Sequence, residues 1–394
     1  MTAIGLQWTQ AADTYARLEA SAGMTVAQTT ALCNTVAPWA YMRRVNLLDN
    51  GVVSACYGDR CYTNTDVATM GQCMVYVPKF WYYTKHTTSP TVYRWYISDT
   101  GTDTIGGSSV TWKVHPAFIR NGVTKSQVYV GAYEGYVHDM SGTLKLESRA
   151  GVKPSGQLEV HALTGTPNGT ISSYRTWAHN RVGTTNKWEL LDFNTLSMIQ
   201  LQYLLEYGTF NSGNFFTGVT SITDDSSTNM AVNTGYTSAL GNTSGQVPVT
   251  HYQTLQTTYP MSHRGTENIF GNMFEYIDGI NITNRVAWIA DHDFASDTFT
   301  APYVSTGLTL VGSNTFCNDL STSATYDYYF QGATAGGGLT TYLCQFTYQD
   351  TGNRTLLHGG DWFSPTHGNM WYSHELGSTL YTGRDYGARL MYIG

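Results

Sequence analysis

The chain has 394 residues, of which only 12% are charged, and carries a net charge of −7. That length exceeds one typical domain and suffices to bury a sizeable core. The acidic balance excludes a basic nucleic-acid footprint, and the sparse charge excludes a solvated, disordered chain.

No apolar run approaches membrane-spanning length. The opening M-T-A-I-G-L-Q-W has neither a basic n-region nor an apolar h-region, so Sec export is not expected. Residues 11–24 allow a helix, although two sides of that pattern are polar. From Trp39 the text turns to short segments. C-M-V-Y-V-P-K-F-W-Y-Y (73–83) alternates and is rich in β-branched and aromatic residues, which predicts a strand. Pro78 then marks an edge or a bulge. V-Y-R-W-Y-I-S, S-V-T-W-K-V and Q-V-Y-V-G-A-Y-E-G-Y-V are further strands, with 99–109 as a turn-rich linker. Helical signal is confined to mid-chain. A short helix is predicted over 172–182. A stronger one spans 192–207, where Phe193, Leu196, Ile199, Tyr203, Leu204 and Tyr207 fall near helical spacing and Gly208 supplies the stop. Residues 211–248 are Ser/Thr/Gly/Asn-rich and predict a surface loop. Strands broken by loops return over 286–348, with Gly336-Gly337-Gly338 as a flexible tip. The class expected is α+β and β-rich.

Chemical motifs are mostly missing. The sequence holds no G-x-S-x-G, H-E-x-x-H, P-loop or dinucleotide fingerprint. Cys33, Cys56, Cys61, Cys73, Cys317 and Cys344 form no C-x-x-C, so free thiols are expected rather than a zinc site. Asp291-His292-Asp293, with Asp297 nearby, lacks the glycine and terminal Glu of a calcium loop and reads as a solvated acidic loop. Glu275 reads as a structural carboxylate capping backbone donors.

The stretch 358–390 differs from the rest. Gly359-Gly360 opens it and Gly387-Ala388-Arg389-Leu390 closes it. Its interior is aromatic, small and polar, the composition of recognition loops. A glycine-rich hairpin with locally packed tyrosines has the same composition. The candidate ligand-binding residues are Asp361, Phe363, Ser364, His367, Asn369, Tyr372, His374, Leu376, Tyr381 and Asp385. Trp362 is large enough to plug a core, and Arg389 is placed to meet a carboxylate such as Glu275.

Two motifs carry a resemblance. G-N-M-F-E-Y (271–276), followed by G-G-D-W (359–362) and G-A-R-L (387–390), resembles the paired signature of the C-type-lectin-like fold of formylglycine-generating enzymes. V-Y-V-G-A-Y-E-G (128–135) is similar to that family's opening strand, and 192–207 to its second helix. Within this group the chain is most similar to phage tail receptor-binding proteins, including the variable proteins of diversity-generating retroelements. The resemblance implies an N-terminal β-rich assembly domain (1–125) and a C-type-lectin-like receptor-binding domain (126–394) whose segment 358–390 is of the variable type. It implies a homotrimer at a virion tail tip. The partners implied are other tail proteins and a bacterial surface receptor, protein or polysaccharide. Neither nucleic acid nor membrane insertion enters this reading. The ten candidate residues all belong to the set reachable by randomising adenines in A-A-C-type codons, whereas Trp362, Met370, Trp371 and Glu375 do not and are expected to be scaffold. The alternatives are an oxidoreductase of the formylglycine-generating type and a purely structural baseplate subunit. The first needs reactive cysteines that do not occur between Gly359 and Arg389. No enzyme activity, cofactor or metal is therefore expected.

Overall fold

The computed structural model describes all residues except 1–2, 140–141, 155–168, 182–186, 224–230, 313, 339–344, 349–350, 366–367 and 376. Cys344, His367 and Leu376 therefore lie outside the described residues. The fold is β-rich α+β. The strands of its three main sheets, with three helices, run in the following order. The first group is β1 (Ile4–Thr9), β2 (Thr14–Glu19), α1 (Val26–Cys33), β3 (Arg43–Leu47), β4 (Val53–Cys56), β5 (Gln72–Pro78), β6 (Trp81–Thr88), β7 (Thr91–Ser98) and β8 (Lys113–Val114). Then come β9 (Gln127–Gly131), α2 (Ile171–His179), β10 (Trp188–Leu190), α3 (Phe193–Tyr207), β11 (Phe274–Thr283), β12 (Val286–Ile289), β13 (Val304–Thr309), β14 (Thr315–Leu320) and β15 (Gly332–Ala335). The last are β16 (Gln345–Tyr348), β17 (Asn353–His358), β18 (Ser373–Glu375), β19 (Tyr386–Ala388) and β20 (Leu390–Tyr392).

The first sheet has the order β8-β6-β7-β1-β2 and the second the order β10-β20-β9-β5-β3-β4. The third runs β13-β12-β11-β17-β18-β16-β14-β15, with β19 added in parallel to β11. The second sheet crosses the expected division at 125/126, because β9 pairs with β5 on one side and with the terminal strand β20 on the other. One buried cluster runs from Ile4 to Tyr392. The two expected units thus share a core.

Residues 11–24 do not form the helix that their composition allows. Asp13 turns the chain in the left-handed region at φ 47°, and β2 folds back on β1 in full register from Ile4–Glu19 to Thr9–Thr14. Pairing with β1 gives the backbone groups of this polar stretch partners that an isolated helix would not improve on. The 73–83 stretch is two strands in two sheets. Pro78 is neither at an edge nor in a bulge. It is the last residue of a central strand, paired with Gln127, where its missing N–H costs little. α1 was not foreseen and carries a capping box between Thr25 and Gln28. The thiols of Cys33, Cys56, Cys61, Cys73 and Cys317 are free, and three of them are buried.

α3 forms where its spacing predicts. Asp192 caps it by accepting from the backbone N–H of Thr195 at 2.8 Å, and Gly208 ends it at φ 76°. All fifteen of its residues are buried, so it is a central helix rather than an amphipathic surface one. Its polar groups act as ties. Gln200 donates to the carbonyl of Met370 at 2.8 Å, and Glu206 pairs with Arg264 at 2.6 Å and with His263 at 3.2 Å. Burial pushes the Glu206 carboxyl up, but these two partners outweigh it and hold the group below its ordinary value.

The G-N-M-F-E-Y and G-A-R-L motifs meet at the join of the second and third sheets. Arg389 is fully buried and forms a two-pronged pair with Glu275, Nε to Oε2 at 3.1 Å and Nη2 to Oε1 at 2.6 Å. Glu275 thus serves a guanidinium rather than backbone donors. Removing one partner of a buried pair strands the other charge. Arg389→Met should therefore cost about 3–5 kcal/mol of unfolding free energy in urea titration. A loss under about 1 kcal/mol would show that the pair does not hold the join.

Candidate functional site

The 358–390 segment is built on backbone geometry that only its glycines permit. Gly359 has φ 88°, and a Cβ there would stand 3.0 Å from the Cα of Phe270. Its carbonyl accepts from Gly271 at 2.9 Å and its N–H donates to Tyr372 at 3.2 Å. Trp362 follows and is fully buried among Val219, Ile222, Ala231, Val232 and Met273. Met370, Trp371 and Glu375 are buried as well.

The candidate residues divide by depth. Phe363 is 45% exposed and Tyr381 50%. Asn369, His374 and Asp385 are half-buried. Asp361, Ser364 and Tyr372 are buried and cannot form an open binding face. Asp361 accepts from the Ser364 hydroxyl and, at 3.2 Å, from the Phe363 N–H, which closes a local turn. Tyr372 packs 5.9 Å from Phe274 and shares a 3.1 Å hydrogen bond with Thr347. Its side chain belongs to the core rather than to an accessible face. The reason is positional. β18, which begins at the next residue, has a neighbour on each side, so its flank is enclosed.

The accessible residues do not form one group. His374 lies 5.2 Å from Phe274, Phe274 lies 5.6 Å from Tyr386, and Tyr386 lies 5.3 Å from Tyr381. Tyr276 stands beneath, 6.0 Å from Tyr386, and its hydroxyl donates to the Tyr381 carbonyl at 2.6 Å. The Asp385 carbonyl accepts from Phe274 at 2.9 Å. Tyr381 and His374 thus stand on a buried aromatic base, with Asp385 beside it. Phe363 is tied elsewhere, because Trp362 next to it bonds to Ile222 and Asn272. Sequence reasoning missed Phe274, Tyr276 and Tyr386 as this base. The F-E-Y of the first motif was the available signal. It also missed Leu380, which is 80% exposed beside Tyr381.

The strongly shifted acids here are sealed from solvent. Burial alone pushes Glu375 well above the ordinary carboxyl range. Burial also raises Glu134, reinforced by the charge of Glu275 and opposed by Arg389 and two asparagine hydrogen bonds. Burial lowers His358 to about 4, so it is neutral near pH 7 and its Nδ1–H donates to the Tyr372 carbonyl at 3.1 Å. Such groups set the scaffold, while the accessible set of aromatic rings, imidazole and carboxylate offers stacking and hydrogen bonding. No cluster of three or more His, Cys, Asp or Glu suited to a metal occurs among the described residues. Asp291 hydrogen-bonds to His292 at 2.5 Å, and Asp297 accepts from Thr379 at 2.7 Å.

No family model matches the chain, and no curated protein matches it. Among solved structures it is similar to one described as "Major Tropism Determinant I1 Variant", at 11% identity and a TM-score of 0.29, over 89% of this chain and 72% of that one. So loose a superposition transfers no residue role.

Glu375 gives a pH test. Its folded-state pKa is raised, so its favourable contribution is complete below the ordinary carboxyl range and is lost as pH rises toward the folded value. Glu375→Gln should leave the melting temperature unchanged near pH 4 and raise it by about 2 °C or more at pH 7.5. Equal melting shifts at both pH values would mean that Glu375 is not held neutral.

Proposed function

We propose that this chain is a non-enzymatic receptor-binding protein of a phage tail tip, with a C-type-lectin-like domain that presents part of the 358–390 segment to a bacterial surface receptor. The observation that carries this reading is the half-exposed Tyr381 and the half-buried His374 on the buried Phe274–Tyr386–Tyr276 base. Rigid aromatic anchors with a polar neighbour are what binding hot spots use. The motif resemblance supports it, since the two motifs are joined here by Arg389, Glu275 and the parallel β11–β19 ladder. The contact set is narrower than sequence alone implies: Tyr381, His374 and Asp385 about this base, with Phe363 and Asn369 as further accessible residues. If a retroelement diversifies the segment, these are the positions at which side chains change without repacking the interior. The remaining partners are other tail proteins in the virion.

Tyr381→Ala should leave the melting temperature within about 1 °C of the parent and weaken host-cell adsorption by at least about 2 kcal/mol, measured as apparent affinity. Tyr372→Ala should instead cost about 3 kcal/mol or more of stability. Adsorption that survives Tyr381→Ala unchanged would move the site away from this base.

The assembly implied is a homotrimer. Low charge and abundant tyrosine suit buried interfaces, and three copies would add avidity on a dense surface. Light scattering at micromolar concentration should give three times the mass of the 43.5 kDa chain; a monomer mass would remove the avidity argument.

A further inference from the structure

Away from the C-terminal segment, a cleft of about 550 Å3 opens between β6–β7 and the loop at 322–327. That volume falls within the range of small-molecule sites. Strand alternation decides which side chains face it. Thr84 is paired with Trp95 and His86 with Tyr93, which places these four on one face together with Tyr82. This face is turned to the loop, because Tyr82 and Thr84 both donate to Asp327, at 2.8 and 2.6 Å. Lys85 and Arg94 are paired on the opposite face, so they line the cleft with backbone rather than with charge.

Three rings at the cleft wall lie nearly parallel, and two of them, Tyr93 and Trp95, are buried. His86 stacks on Tyr93 at 4.2 Å and 4°, and Tyr93 on Trp95 at 5.7 Å and 8°. The Tyr93 hydroxyl donates to Asp319 at 2.5 Å, which fixes the middle ring. His86, at one end of the row, is exposed. Beside the rings, Asp327 accepts from Tyr82, Thr84 and, at 2.8 Å, from the Lys113 ammonium, yet its side chain remains 16% exposed. Three donors hold that carboxylate in one orientation, and the Lys113 ammonium is paired with it. Thr111, Thr322 and Ser323 line the same cleft.

We propose that this cleft is a second binding site, for a neutral saccharide. A pyranose ring presents an apolar C–H face and a rim of hydroxyl donors. The exposed His86 ring, backed by the buried Tyr93 and Trp95, accepts the first, and a fixed carboxylate with neighbouring hydroxyls accepts the second. An anionic sugar is disfavoured, because Asp327 would repel it and Lys113 is already paired. The site uses no residue of the 358–390 segment and stands independently of the function proposed for it.

The test is calorimetric titration of the full-length chain with maltotriose, cellotriose and triacetylchitotriose, and with trigalacturonate as the anionic probe. At least one neutral trisaccharide should bind. Its affinity should fall about tenfold or more both in His86→Ala, which removes the exposed ring, and in Ala324→Trp, which fills the cleft from an exposed loop position. Unchanged melting curves would show that both variants fold, and Tyr381→Ala should bind the sugar as the parent does. Binding of none of the neutral probes, tighter binding of trigalacturonate, or parent-like affinity in both cleft variants would overturn the proposal. Loss of host adsorption in Tyr381→Ala with intact sugar binding would leave both sites standing, intact adsorption with intact sugar binding would remove the first and keep the second, and lost sugar binding in that variant would overturn the cleft.

Discussion

Arg389 is the side chain on which the architecture closes. Besides gripping Glu275, it donates to the carbonyls of Gly131 at 2.9 Å, Glu267 at 2.8 Å and Asn268 at 3.0 Å. One fully buried group therefore binds the end of β9, the turn before β11 and β11 itself. A guanidinium suits this task because its donors form a rigid planar fork that a lysine cannot reproduce. Placing that charge in the interior is costly, and only a complete set of acceptors offsets the cost. Here the carboxylate and three carbonyls provide it, and Gly131 leaves room for the approach: a Cβ there would lie 3.2 Å from the Arg389 side chain.

The same device recurs at the helices. Arg175 of α2 forms a two-pronged pair with Asp278 of β11 at 2.8 and 2.9 Å. Arg120 pairs with Asp192, the residue that caps α3. Arg264 pairs with Glu206 near the other end of α3. A chain with few charges has placed several of them inside, each where an element docks. Buried pairs of this kind seldom exceed well-packed apolar residues in net stability. Their effect here is geometric: α3 is held at both ends, and with it the Gln200 side chain that anchors the Met370 carbonyl of the 358–390 segment.

Sequence patterns revealed those features that depend on local chemistry. The α3 cap and its glycine stop were legible because helix ends are local events. The Arg389–Glu275 pair was legible because two motifs implied a meeting. Depth was not legible. Tyr372 and Tyr381 are the same residue type in the same glycine-framed stretch, yet one is 1% exposed and the other 50%. What separates them is that Tyr372 abuts a strand with a neighbour on either side, while Tyr381 follows a turn closed by its own N–H on Ser378 at 2.9 Å. The pairing of β18 with β16 and β17 reaches beyond the segment itself. Residues 11–24 show the same limit, since it is β1 that makes them a strand.

The division between frame and display follows from the kind of bond each uses. The segment is held by main-chain contacts: Gly359 to Gly271 and Tyr372, Trp362 to Asn272 and Ile222, Thr355 to Gly377, and Phe274 to Asp385. Even Tyr276 grips Tyr381 by its carbonyl rather than its ring. Backbone bonds are indifferent to the side chain carried at the same position. Side chains at 363, 374 and 381 can therefore change while the backbone path is retained, whereas a change at 362, 372 or 389 alters the interior. In this chain that separation coincides with the boundary between accessible and buried residues.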